Sequence, residues 1–287
     1  MKTKVLKLRF LLSSLTLTII MCLFFFSCQK EETVPINEPF DYEQIGIEHN
    51  KGLDYVFEYL KEKGVGKKIG LKSTTNISQL IDNATVAFLE EEANFDEKSN
   101  AISIFKAENE KGYLKSAQVN FQKDLELKLL DKTSKDKLEA IYDMLNNVRK
   151  IGIDKSVEKL LVIQSEIQSE CIEQELPVLM SICVTARYSL IYWESNFEKW
   201  MLELGGIETL LLKNVRLKSG NTERDWDWFL DTVGDMAEAD AYGAGAGALV
   251  GTAGVVFGPA ALVTIPASAV AYGLNMSAGK GIWELFH

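Results

Sequence analysis

Apolar residues recur at every third or fourth position through the middle of the chain, which predicts a series of amphipathic helices. The first stripe precedes Gly64 and consists of Leu53, Val56, Phe57 and Leu60. Between Pro39 and Pro177 there is no proline, and this scarcity of helix breakers favours long helices over a β-rich fold. No stretch alternates apolar and polar residues over a useful strand length. We therefore predict an all-α fold, with a helical bundle over residues 42–222.

Two serines and one proline mark expected helix starts. Ser78 is placed to cap one helix and Ser134 another, because a serine hydroxyl can accept a hydrogen bond from the first free N–H groups of a helix. Pro177 suits the first residue of a third helix, where its missing N–H costs no hydrogen bond. From Pro177 to Trp193 the only charge is Arg187. We expect this nearly apolar helix to be the central element of the bundle.

Cys171 and Cys183 lie six residues either side of Pro177. A helical hairpin that turned at Pro177 would bring the two cysteines to similar heights, and export to an oxidising compartment would permit a disulfide. The same two residues also suit small, buried hydrophobic positions. The sequence therefore leaves open both a candidate disulfide and two buried free thiols.

The C-terminal segment, residues 223–287, ends in a long stretch built for close helix packing. Residues 241–279 contain no charged side chain. Glycines here form a row that lets a second helix approach backbone to backbone. The row consists of Gly243, Gly247 and Gly251, continued slightly round the helix by Gly254 and Gly258. A second row of small residues follows the Gly258-Pro259 turn and consists of Ala269, Gly273, Ser277 and Gly281. Together they predict a C-terminal glycine-rich hydrophobic helical hairpin.

The helix that precedes this hairpin is predicted to have an apolar side and an acidic side. The apolar side carries Trp226, Phe229, Val233 and Met236, and the acidic side carries Asp227, Asp231, Asp235 and Glu238. Two interpretations of the acidic side are open. In the first, it is simply a solvated helix face. In the second, the charge of these acids keeps residues 241–279 from entering a bilayer until the acids are protonated or paired with cations.

The N-terminus has the form of a bacterial export signal. Four basic residues precede an uncharged run from Phe10 to Phe26, and Cys28 follows shortly after it. The residues before Cys28 resemble a lipobox, which implies a cleaved signal peptide over 1–27 and acylation of the Cys28 thiol, for example by palmitate. Because Phe26 is bulkier than a lipobox usually allows, an uncleaved N-terminal anchor is the alternative.

Residues 28–41 are predicted to be a lipidated tether, since they combine two prolines with several acids. The cluster that follows Cys28 resembles the short signal that sends lipoproteins to the outer face of the outer membrane in the Bacteroidota. It consists of Gln29, Lys30, Glu31 and Glu32.

The composition offers little for catalysis. The 287 residues carry a net charge of −10, and without the signal 27 Lys and Arg stand against 41 Asp and Glu, a charge of −14. Such a balance argues against nucleic acid as a partner. The two histidines, His49 and His287, cannot build a zinc motif, and most serine or cysteine nucleophiles need an adjacent base. We expect no catalytic residue, no metal and no cofactor. His49 falls close to Asn50 and Asp54, as a polar contact site or as a satisfied helix cluster.

The tail resembles glycine-zipper segments of membrane-associated bacterial proteins, and its position is similar in plan to the hairpin of pore-forming colicins, without a shared motif. The whole chain, with a helical body carrying the stretch 49–54 and a glycine-zipper end, resembles surface lipoproteins of the Bacteroidota. This resemblance implies a location and an architecture, and no activity.

From these patterns we expect an outer-membrane lipoprotein that faces the cell exterior and has a non-enzymatic interaction or structural role. The alternative is a membrane-inserting, bacteriocin- or toxin-like protein. The expected partner is the membrane, through lipidated Cys28 and, in the alternative, also through the 241–279 hairpin. The sequence does not identify a protein partner.

Overall fold

The computed structural model describes residues 40–66, 74–95, 98–110, 131–205, 223–253 and 261–286. The chain divides into two units, residues 1–40 and residues 41–287, and Phe40 is the one described residue of the first. Within the described ranges the second unit contains nine α-helices and no strand. The predicted all-α bundle with a C-terminal helical hairpin is confirmed.

The helices follow one another with short connections where the structure describes them. They are α1 (Glu43–Glu62), α2 (Thr74–Glu91), α3 (Lys98–Glu110), α4 (Lys132–Leu145), α5 (Val148–Ile151), α6 (Ile153–Glu170), α7 (Leu176–Trp200), α8 (Glu223–Ala253) and α9 (Ala261–Phe286). A π-helical turn, Met201–Gly205, continues α7. Helices α1, α6 and α8 all pack along α7, and α9 packs against α8, α1, α2 and α3.

The predicted serine caps are wrong at both positions. Asp131 is the N-cap of α4, because its backbone is extended and its carboxylate accepts a hydrogen bond of 3.3 Å from the N–H of Ser134. Ser134 therefore lies inside the helix and is buried. Helix α2 begins at Thr74, so Ser78 is also an internal residue.

Helix α7 is the central element, as its near lack of charge predicts. All residues from Pro177 to Arg187 are buried, and Pro177 occupies the first turn of the helix. The guanidinium of Arg187 forms an ion pair with Glu43 at the start of α1. Among the described helices, only the segment 176–205 is long and apolar enough to cross a membrane, and 83% of its most apolar window is buried inside the bundle. Its apolar surface is therefore covered by neighbouring helices.

Helices α8 and α9 form an antiparallel hairpin whose backbones are in contact. A Cβ atom built on Gly243 would lie 2.5 Å from the carbonyl oxygen of Tyr272, and one on Gly251 would lie 3.0 Å from the Cα of Ile265. A Cβ on Gly247 would overlap the carbonyl oxygen of Ser268. These neighbours are backbone atoms, which cannot move aside as a flexible side chain would. Close packing thus offsets the roughly 1 kcal/mol that each glycine costs a helix.

Replacing Gly247 by alanine tests this packing. We expect Gly247→Ala to lower the free energy of unfolding by about 1–3 kcal/mol, because the added methyl group forces the two backbones apart. Gly279→Ala is the matched control, since a Cβ atom built on Gly279 in α9 meets no atom of another part of the chain within 4 Å. The control should gain about 0.4–1 kcal/mol through reduced entropy of the unfolded chain. Urea unfolding measures both changes, and a Gly247→Ala variant as stable as the parent would show that the hairpin backbones are not in contact.

Candidate functional site

The most unusual polar feature of the bundle is a buried carboxylate at the base of the uncharged hairpin. Asp240 is completely buried and immediately precedes the uncharged stretch 241–279. The hydroxyl of Ser189 and the indole Nε1 of Trp193, at 3.3 Å, both donate to Asp240 Oδ2. His49 Nε2 lies 3.6 Å from the same oxygen. A carboxylate in an apolar interior is costly unless it is paired and hydrogen-bonded, so these contacts determine how the surrounding helices fit together.

We refer to His49, Ser189, Trp193, Asp240 and Ser277 as the Asp240 cluster. Ser277 Oγ lies 3.0 Å from Trp193 Nε1, so the single indole N–H is shared between Ser277 and Asp240. The five residues come from four helices: α1, α7, α8 and α9. The cluster therefore joins both helices of the hairpin to the central helix α7 and to the first helix of the body.

The backbone of α9 makes room for the histidine. A Cβ on Gly273 would lie 3.1 Å from His49 Cδ2, so a larger residue would press on the imidazole ring. Asn50, the next residue on α1, has its Oδ1 3.2 Å from His49 Nδ1 and donates from Nδ2 to the carbonyl of Tyr188 at 3.1 Å. The polar stretch 49–54 is thus a contact between helices, and Asp54 also accepts a hydrogen bond from Tyr192, at 3.0 Å.

The cluster contains the residue types of a hydrolytic triad in a different arrangement. Ser189 donates its hydroxyl proton to Asp240 instead of to His49, whereas a serine nucleophile is activated by an adjacent base. Ser189, His49 and Asp240 are all completely buried, so no substrate reaches them in this conformation. The geometry is that of a charge-bearing packing cluster.

His49 is the remaining polar neighbour of the Asp240 carboxyl group. His49 Nε2 and Asp240 Oδ1 are buried and make no hydrogen bond. His49 Nε2 faces Asp240 Oδ2 at 3.6 Å, and no Lys or Arg pairs with Asp240 in the described part of the chain. Removing Asp240 would therefore leave the buried imidazole without this polar partner, which is costly in an apolar interior.

The acidic side of α8 pairs with specific cations. Arg149 on α5 donates to Asp231 at 3.0 Å and to Asp227 at 2.8 Å, and Lys280 on α9 lies 3.3 Å from Asp235. Glu238 accepts a hydrogen bond of 3.1 Å from Tyr242, and burial raises the pKa of its carboxyl. The aspartates of this face are thus largely exposed and form surface ion pairs with α5 and the end of α9, each of which contributes little to stability.

The expected apolar side of α8 is only partly buried. Phe229, Val233 and Met236 lie in the core, as predicted, but Trp226 is 51% exposed. Its ring stacks on Phe229 at a centroid distance of 5.1 Å. Trp226 lies in the first turn of α8, and burial of the apolar stripe begins one turn further along, at Phe229.

The candidate disulfide is not formed, and both Cys171 and Cys183 are free thiols. Helix α6 ends at Glu170, so the chain turns before Pro177 rather than at it. Cys183 consequently lies beside Leu160 and donates to its carbonyl oxygen at 3.4 Å, whereas Cys171 lies at the end of α6. Burial raises the pKa of the Cys183 thiol to about 12, which keeps it protonated and unreactive.

Several predicted site residues lie outside the described residues. They are Cys28, Gln29, Lys30, Glu31 and Glu32 at the N-terminus, and Gly254 and Gly258 in the glycine row. In the part of the chain that the structure describes, no group of three or more His, Cys, Asp or Glu side chains could hold a metal ion.

Comparisons with family models, with curated proteins and with solved structures gave no match to this chain. The fold and the Asp240 cluster are therefore interpreted from their own geometry.

The coupling between His49 and Asp240 can be measured with a double-mutant cycle. We expect Asp240→Ala alone to cost about 3 kcal/mol or more, because it removes the acceptor of two buried donors and the partner of His49. The double variant with His49→Ala should be more stable than the sum of the single effects predicts, by at least about 1 kcal/mol.

The control for this cycle is the exposed pair of Arg149 and Asp231, replaced by alanine singly and together. Its coupling should stay below about 1 kcal/mol, since water screens surface ion pairs. Urea unfolding of the six variants supplies all values. Purely additive effects at His49 and Asp240 would mean that the two side chains do not interact.

Thiol reactivity checks the cysteine geometry. In a chain carrying Cys22→Ser and Cys28→Ser, we expect one thiol to react with Ellman's reagent in the native state and two in denaturant, because Cys183 is fully buried and Cys171 is partly exposed. Absence of any reactive thiol in denaturant without reductant would instead indicate a disulfide between them.

Proposed function

We propose that this protein is a lipid-anchored outer-membrane protein of the cell surface, with a non-enzymatic interaction or structural role, in which the glycine-rich hairpin is a permanent part of the folded body. The observation that carries the hairpin's role is the Asp240 cluster. It binds α8 and α9 to α7 and α1 through a charged group in the core.

Release of the hairpin from the bundle would be costly in two ways. The carboxylate of Asp240 would lose His49, Ser189 and Trp193 together, and the central helix α7 would lose the cover of α8. Burial of apolar surface contributes about 25 cal/mol for each Å² removed from water, so exposing one side of α7 is strongly unfavourable. These two costs favour a structural hairpin over one that leaves the bundle and inserts.

The lipid anchor is the second part of the proposal and rests on the sequence of the N-terminal segment. An acylated Cys28 would hold the chain at the bilayer, because each buried methylene contributes about 0.8 kcal/mol. Residues 28–41 would then act as a tether between the lipid and the folded body, which begins at Asp41.

Dye release from liposomes tests whether the hairpin inserts. The protein without residues 1–28 should cause no leakage of an entrapped dye from anionic vesicles at pH 7 or at pH 5, while detergent defines complete release. Leakage that rises with protein concentration, and that is lost when Gly247 and Gly251 are replaced by isoleucine, would contradict the proposal and support the membrane-inserting alternative.

The anchor is tested separately by fractionation and labelling. The full chain should incorporate labelled palmitate and fractionate with the outer membrane, and Cys28→Ala should lose both properties. Cys22→Ala is the matched control, since Cys22 lies within the predicted signal peptide, and it should keep both. Palmitate uptake and outer-membrane fractionation by the Cys28→Ala chain would refute lipidation at Cys28.

A further inference from the structure

An open groove with a volume of about 570 Å³ runs along the outer side of α1, where it faces α2. Its lining consists of Lys51, Asp54, Tyr55, Glu58, Tyr59 and Glu62 from α1, Phe88 from α2, and Glu92, which directly follows α2. From Lys51 to Glu62 the helix rises about 16 Å, at 1.5 Å per residue. This volume lies in the range of ligand-binding clefts, and the groove is elongated along a helix axis.

Aromatic rings form one component of the groove. The rings of Tyr55 and Phe88 lie 5.8 Å apart, and the Tyr55 hydroxyl donates to Glu91 at 2.9 Å, which fixes its ring. Burial, together with Glu91, raises the pKa of Tyr55 to about 12, so the hydroxyl stays protonated as a donor. Tyr59 already receives a cation at the groove's end, since Lys63 Nζ lies 4.9 Å from its ring centroid. Phe88 itself is only 1% exposed, so the part-exposed rings of Tyr55 and Tyr59 are the aromatic surface that can contact cationic or apolar groups.

The charge of the groove is strongly biased. Four of its eight lining residues are carboxylates, and its single lysine, Lys51, is held at 2.7 Å by the buried carboxylate of Glu48. Asp54 accepts a hydrogen bond from Tyr192, and Glu58 pairs with two lysines, Lys199 at 3.6 Å and Lys61 at 3.8 Å. Neither Glu62 nor Glu92 forms an ion pair within the described ranges. These two carboxylates therefore carry the negative charge that the groove offers to a partner.

The carboxylates also have a regular spacing. Asp54, Glu58 and Glu62 follow one another at four-residue steps, which places them about 6 Å apart along α1. Lysine or arginine residues at four-residue steps on a second helix have the same spacing. The elongated shape, the repeated carboxylates and the intervening rings match a basic amphipathic helix better than a compact ligand.

We propose that this groove binds a basic helical segment of a partner protein, with its cationic side chains on Glu62 and Glu92 and its aliphatic stems on Tyr55 and Tyr59. This inference deepens the proposed interaction role and rests on it. The excess of carboxylates disfavours anionic partners such as nucleic acid.

Fluorescence anisotropy tests the proposal with the detergent-solubilised full chain. The probe is a fluorescein-labelled helical peptide that carries lysine at every fourth position. The reference is a labelled peptide of the same composition whose lysines are distributed around the helix. We expect the patterned peptide to bind at least about fivefold more tightly, because only it places its cations on one face. Spermine should compete weakly.

Variants at the groove provide the decisive comparison. The double variant Glu62→Gln/Glu92→Gln should weaken binding by about fivefold or more, and Tyr59→Ala should weaken it while Tyr59→Phe retains it. The control Glu139→Gln/Glu158→Gln makes the same change of charge on the exposed surfaces of α4 and α6 and should leave affinity within about twofold.

Four outcomes would overturn the groove assignment. Two are equal binding of both peptides and equal weakening by the control variant. The third is tighter binding of spermine than of the patterned peptide. The fourth is peptide binding that is detected only after Lys67, Lys68 and Lys72, three lysines that follow α1 in the sequence, are replaced. Failure of the groove is distinguishable from failure of the proposed function, because the liposome and palmitate measurements do not involve these residues.

Discussion

One buried carboxylate places the strongest constraint on this fold. Asp240 lies in the core at the point where α8 becomes the uncharged arm of the hairpin, and its charge must be met by groups from other helices. His49 and Ser189 meet it from α1 and α7. Gly273 on α9 leaves the space that the imidazole ring needs. Pairing a single charge thus fixes the positions of four helices relative to one another.

The glycine row imposes the second constraint, and it acts in the same place. Gly243 and Gly247 bring α8 into backbone contact with α9 just beyond Asp240 along the chain. Small residues alone would allow two helices to slide past each other, because they offer a smooth surface. The Asp240 cluster supplies the directional contacts that select one register. The hairpin is therefore positioned by close approach along its length and by hydrogen bonds and charge at its base.

Sequence periodicity was sufficient to predict the helices, the central position of α7 and the C-terminal hairpin, since an apolar stripe is a local pattern repeated along each element. It did not predict the residues at which helices begin and end. The turn before Pro177 separates Cys171 from Cys183, and Asp131 caps α4 one turn before Ser134. The Asp240 cluster joins residues as far apart in sequence as His49 and Ser277, so pattern alone could not assemble it. Its one sequence signal is an acid that directly borders the uncharged stretch 241–279 and falls outside the four-residue spacing of Asp227, Asp231 and Asp235.

Amide hydrogen exchange tests most directly the central claim that the hairpin is a permanent part of the body. Peptides from 240–251 and 264–281 would be followed with and without anionic vesicles, at pH 7 and at pH 5. We predict the same strong protection in all four conditions, because the hairpin remains packed on α7 and α1. Loss of protection in α1 and α7, together with vesicle-dependent changes in the two hairpin segments, would contradict this account and show that the hairpin leaves the bundle.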